Sequence, residues 1–101
     1  MSTETFYNTV DMMGSDEQKE QWLEKVRKLE MIGCYVQSEI GHGSNVAGLE
    51  TTATFDKASD CFIIHTPTLT ATKAWGGAVG LWANFACIFA TLVIDGKQYG
   101  M

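Results

Sequence analysis

The stretch Gly33-Cys-Tyr-Val-Gln-Ser-Glu-Ile-Gly-His-Gly-Ser-Asn-Val-Ala-Gly-Leu-Glu-Thr-Thr-Ala-Thr54 passes from a short apolar strand, through a loop spaced by glycines, into an alternating threonine-rich strand. Gly41, Gly43 and Gly48 let the backbone turn tightly and approach a neighbour closely. Gln37, Ser38, Glu39 and Ser44 set polar side chains just before and inside that turn. Two nucleotide-binding readings fail. Gly41-His-Gly43 lacks the third glycine of a dinucleotide fingerprint and opens no helix, and Leu49-Glu50 stands where a phosphate-binding loop needs Lys followed by Ser or Thr. A plain turn with no ligand remains a reading of these residues.

On the N-terminal side, residues 15–30 read as one amphipathic helix. Ser15 followed by Gln18 fits a capping box, and Asp16 and Glu17 sit where the helix dipole favours negative charge. Trp22, Val26 and Leu29 recur on one face as an apolar stripe, a packing surface. Glu24 and Lys28 add an i, i+4 pair. The preceding Phe6 to Met13 is apolar with no evident partner in the chain.

On the C-terminal side the period is 2. Residues 50–56 alternate, 56–60 form a polar turn and 61–66 return as a second strand, which makes a hairpin. Pro67 marks a strand boundary. Residues 83–94 are apolar throughout and read as one long strand buried on both faces. A buried helix is the alternative, but Asp95-Gly96 signals a hairpin and favours the strand. Lys97 to Met101 looks too short to pair with so long a run, and an unpaired apolar edge predicts self-association. By this reading the sequence is part of a domain cut at both ends.

The chain has 101 residues, 46% of them hydrophobic and 19% charged, within the range of a single small globular domain. Seven basic against twelve acidic residues give a net charge of −5, which argues against a nucleic-acid surface. No apolar run reaches the roughly 18 residues of a membrane span. Cys34, Cys61 and Cys87 are widely spaced and read as reduced thiols. Neither they nor His42 and His65 fall at zinc-site spacings, so no metal is expected. The terminal Gln98-Tyr-Gly-Met101 is not a Ser-Lys-Leu address.

The quoted stretch, continued by Thr66-Pro-Thr-Leu-Thr70 and Lys73-Ala-Trp-Gly-Gly-Ala-Val-Gly80, resembles the start of the middle β-domain of the peroxisomal acyl-CoA oxidases. The likeness runs without a gap from about Gly14 to Gly100, with departures at Ala47, Ala74, Gly76 and residues 81–85. It implies an α+β fold, mainly β, in which one N-terminal amphipathic helix is followed by antiparallel strands. Residues 1–32 would end an N-terminal helical domain and residues 33–101 would form the flavin-binding half of a partial middle β-domain. FAD is the implied cofactor, with Ser38, Gly77, Trp75 and Gln37 as its contacts and Ser44 as a substrate contact. The implied partners are a fatty acyl-CoA and the remaining domains, or a homodimer partner, of an oxidase in the peroxisome. No residue matches the family's catalytic glutamate, so the chain alone is expected to be inactive. A non-catalytic module that binds an oxidase subunit or acyl-CoA is the alternative.

Overall fold

Ser15 opens a helix as its neighbours predict. In the computed structural model, which describes residues 2–101, the Ser15 hydroxyl accepts the Gln18 N–H at 3.2 Å and the Gln18 side-chain oxygen accepts the Ser15 N–H at 2.9 Å. This closes the capping box at the start of α2 (Asp16–Arg27). Val26 is buried and Trp22 packs beside it. Leu29 does not extend the stripe. The helix ends at Lys28, and Leu29 turns into the left-handed region (φ 58°) with its side chain exposed.

The N-terminal segment corrects the expectation of a single helix. Residues Ser2–Met13 form α1, ahead of α2. Phe6 and Val10, one turn apart, bury against Val26 and Met31, so these two apolar residues do have a partner, while Met12 and Met13 stay exposed. Strand β1 (Gly33–Val36) lies beside β4 (Phe85–Ile88) in a parallel pair, with Gly33 opposite Phe85. Gly33 cannot carry a side chain, because a Cβ there would sit 2.1 Å from the Phe6 ring. The entry to both strands is clamped by Asn84, whose Oδ1 accepts the Ile32 N–H at 2.8 Å while its own N–H donates to the Ile32 carbonyl at 3.0 Å. These elements make one of two compact units.

The other unit holds a four-stranded sheet in the order β3-β2-β5-β6, from β2 (Thr52–Asp56), β3 (Cys61–His65), β5 (Thr91–Ile94) and β6 (Lys97–Gln98). The β2–β3 hairpin is antiparallel, as read from the sequence. Asp95 and Gly96, both left-handed at φ 51° and 74°, turn β5 into β6. The return segment is long enough to pair after all. Val93 and Ile94 face Gln98 and Lys97, and Leu92 exchanges hydrogen bonds with Tyr99 and Gly100 at 2.9 and 2.8 Å.

Residues 83–94 are not one strand. They divide at Phe89-Ala90 because β4 pairs with β1 while β5 pairs with β2, in different sheets. Nor is the run buried on both faces: Phe85 and Ile88 are each 47% exposed. The α+β class holds, with about equal helix and strand. The strand pairing is mixed rather than antiparallel throughout, since β1–β4 and β2–β5 are parallel.

Candidate functional site

The glycine loop lies in the four-stranded unit. Ile40 and Gly41 form a two-residue turn, across which the Glu39 and His42 backbones exchange hydrogen bonds at 3.3 and 3.2 Å. Ile40 and Gly41 donate their N–H groups to the Thr72 and Thr70 carbonyls, both at 2.9 Å. Gly41 is needed for that approach, since a Cβ there would stand 2.9 Å from Thr70 Cβ. One step back along the ladder Glu39 bridges Lys73, and the Ala74 N–H donates to the Ser38 carbonyl at 2.9 Å. Residues 38–41 and 70–74 therefore run antiparallel as neighbours.

Two buried charges join these segments. The Glu39 side chain is fully buried and the Lys73 side chain 13% exposed, with Oε1 and Nζ 3.1 Å apart. Glu39 also accepts the Glu50 N–H at 2.8 Å and the Thr51 N–H at 3.0 Å. Lys73 Nζ donates to the Gln37 carbonyl at 3.0 Å and to the Phe89 carbonyl. Burial alone would push the Glu39 carboxyl up. The Glu50 and Thr51 amides, the Thr51 side chain and Lys73 outweigh it and hold the group at about 2. Such a carboxylate stays ionised at neutral pH and is a poor proton acceptor.

Glu39, His42 and Glu50 offer donor atoms within 4.8 Å of one another. The Glu39 oxygens already serve two amides and an ammonium, and His42 Nε2 stands 3.6 Å from Oε2. That carboxylate is committed to the fold rather than open to an ion. Burial raises the thiols of Cys34 and Cys87, so neither is an activated nucleophile. An apolar groove in the helical unit, of about 250 Å³ and lined by Phe6, Val10, Trp22 and β4, has the Cys87 thiol as its one titratable side chain among the described residues.

Of the residues singled out from the sequence, Gln37 and Ser38 are half-buried on the ladder just described. Trp75 follows Ala74, with its side chain 94% exposed and its backbone left-handed at φ 61°. The Ser38–Ala74 bond thus brings Ser38 next to the residue preceding Trp75. Ser44 is exposed in the bend after His42, and Gly77 is exposed in a turn of the helical unit. Sequence reasoning missed the Glu39–Lys73 pair. The available signal was two oppositely charged residues embedded in the two most recognisable segments.

No family model matches the chain. Known proteins do. It is 50% identical over 96 residues to the peroxisomal acyl-coenzyme A oxidase 1 of Arabidopsis thaliana, which covers 95% of the chain and 14% of that enzyme. It is 53% identical over 95 residues to an acyl-coenzyme A oxidase of Caenorhabditis elegans, with 94% of the chain and 14% of the enzyme covered. The crystal structure of C. elegans acyl-CoA oxidase-2 bound with FAD, ascaroside-CoA and ATP superposes with a TM-score of 0.91 at 53% identity, over 94% of this chain and 14% of that one. A tomato acyl-CoA oxidase gives 0.91 at 52% identity, with the same coverage of each chain. The chain belongs to the acyl-CoA oxidase family. It spans about a seventh of the length of the curated relatives it matches.

Proposed function

We propose that this chain supplies flavin and substrate contacts of an FAD-dependent acyl-CoA oxidase, the enzyme that converts acyl-CoA and oxygen to trans-2-enoyl-CoA and hydrogen peroxide. Residues 1–32 are then the end of its helical domain and 33–101 part of its middle β-domain, working with the remaining domains or a homodimer partner in the peroxisome. The observation that carries the reading is the 2.9 Å bond from the Ala74 N–H to the Ser38 carbonyl. It makes neighbours of the two segments that the resemblance assigns to the flavin. The flavin of a solved relative and the peroxisomal location in a relative's name support the same reading.

The residues present fit such a group. A flat, outward-facing indole at Trp75 offers a surface for a flat ring system. Ser38 and Gln37 supply hydrogen-bonding groups on the segment that pairs with residues 73–74, and Gly77 is a further flavin contact by the resemblance alone. Ser44, exposed in the bend after His42, is the substrate contact in this reading. When bound, FAD would accept the hydride from the acyl β-carbon and pass electrons to oxygen. This chain's residues hold and orient. Glu39, committed to Lys73 and two amides, is not suited to remove the α-proton.

The test is titration of FAD with the purified chain, followed by quenching of flavin fluorescence. Saturable quenching that weakens in Ser38→Ala and Trp75→Ala supports the reading. Absence of quenching at any concentration removes it. Acyl-CoA-dependent hydrogen peroxide release by the chain alone is expected to be nil, because by the resemblance no residue matches the family's catalytic glutamate.

A further inference from the structure

We propose that Lys73 and Glu39 are positioning residues of the flavin site, fixing the backbone on both sides of Ser38 without touching the ligand. This rests on the flavin reading above. An ammonium group has three protons, and Lys73 Nζ finds three acceptors: the Gln37 carbonyl, the Phe89 carbonyl and Glu39 Oε1. Glu39 in turn holds the amides of Glu50 and Thr51. Gln37 is therefore tied by its carbonyl, Ser38 by its carbonyl to Ala74, and Glu39 by its side chain.

Each of residues 37–39 is thus held by the neighbouring pair Lys73 and Ala74, and none of these bonds uses the Ser38 hydroxyl or the Trp75 ring. The Ser38 side chain and the indole stay available while the backbone beneath them is immobilised. Positioning a contact group within a fraction of an ångström demands this kind of support from behind. The ammonium is also irreplaceable in shape. An arginine keeps the charge, but its planar fork is too long and too flat to meet two carbonyls and a carboxylate gathered around one point.

The experiment compares the wild-type chain with Lys73→Met and Lys73→Arg by three readouts. These are amide hydrogen exchange at Ala74, with Tyr99 as the reference in the same unit; the FAD dissociation constant; and the absorption spectrum of bound flavin. In Lys73→Met, protection at Ala74 should fall at least tenfold while Tyr99 is unchanged. FAD affinity should drop at least tenfold and the bound-flavin band should shift toward free FAD. If Lys73→Met does not fold, Lys73→Arg decides: with Tyr99 protection intact, it should bind FAD at least threefold more weakly and with an altered spectrum. Loss of Ala74 protection with unchanged affinity and spectrum would overturn the proposal, leaving the pair a purely structural one. So would unchanged values of all three. A wild-type chain that fails to bind FAD sinks the flavin reading and this proposal together, whereas wild-type binding that survives in the folded variants sinks this proposal alone.

Discussion

Glu39 and Lys73 face each other at 3.1 Å, both all but removed from solvent, and tie the loop 37–41 to the strand-like segment 70–74. Such a pair stabilises only while both partners are charged. The Glu39 carboxyl is lowered from 4.5 to about 2, a difference on the order of 3 kcal/mol between the two protonation states. Because the folded value is the depressed one, that contribution is fully present above pH 4.5 and is lost as pH falls toward 2. Urea unfolding midpoints measured from pH 6 to pH 2 should therefore decline for the wild type across that window. Glu39→Gln should begin lower, with a buried ammonium short of its partner, and decline less. Parallel curves for the two proteins would mean that Glu39 does not carry the acid sensitivity.

Gly33 stands against the Phe6 ring with no space for a side chain, the added Cβ falling 2.1 Å from it. Gly33→Ala should lower stability by about 1–3 kcal/mol through forced overpacking. Phe6→Leu in the same chain should recover part of that loss, since the ring is the obstacle. Thermal melts of the two single variants and the double variant check this. Strictly additive losses would show that the strain lies elsewhere.

Strand β3 exposes Phe62, Ile63 and Ile64 at 56, 55 and 51% and forms one edge of the four-stranded sheet. Three consecutive apolar residues on a sheet edge template association. The sequence directs the expectation of self-association to residues 83–94, but the larger exposed run is on β3. Ile63→Lys should shift the sedimentation profile of the isolated chain toward monomer while leaving its melting temperature within a few degrees. An unchanged profile would return the assignment to β4, where Phe85 and Ile88 are also open.

What could be read in the sequence was local. The Ser15–Gln18 box and the Asp95-Gly96 turn depend on residues within a few positions of each other, and both formed as expected. Helix α1 was not legible, because what stabilises it is distant: Phe6 and Val10 bury against Val26 and Met31 rather than against their own neighbours. The division of residues 83–94 was hidden for a related reason. An apolar run shows that a segment will be covered but not that two different sheets will share it. For the candidate site, the resemblance picked out the segments around Ser38 and Trp75, whereas the Glu39–Lys73 pair beneath them depends on a register between strands that no spacing reveals.

Trp75 combines two costs that a structural residue would avoid: a left-handed backbone at φ 61° and a side chain 94% exposed. Outside glycine, that conformation is unfavourable by roughly 1–2 kcal/mol, and an indole in water recovers little of it through packing. Replacement by glycine removes the strain and loses roughly 0.5–1 kcal/mol to the freer unfolded chain. Trp75→Gly should therefore be no less stable than the wild type and up to about 1 kcal/mol more stable, yet should quench flavin fluorescence less. Chemical denaturation and FAD titration on the same preparation give both numbers. A stability loss of more than about 1 kcal/mol would mean that the indole packs within the fold, and unchanged quenching would mean that Trp75 does not contact the flavin.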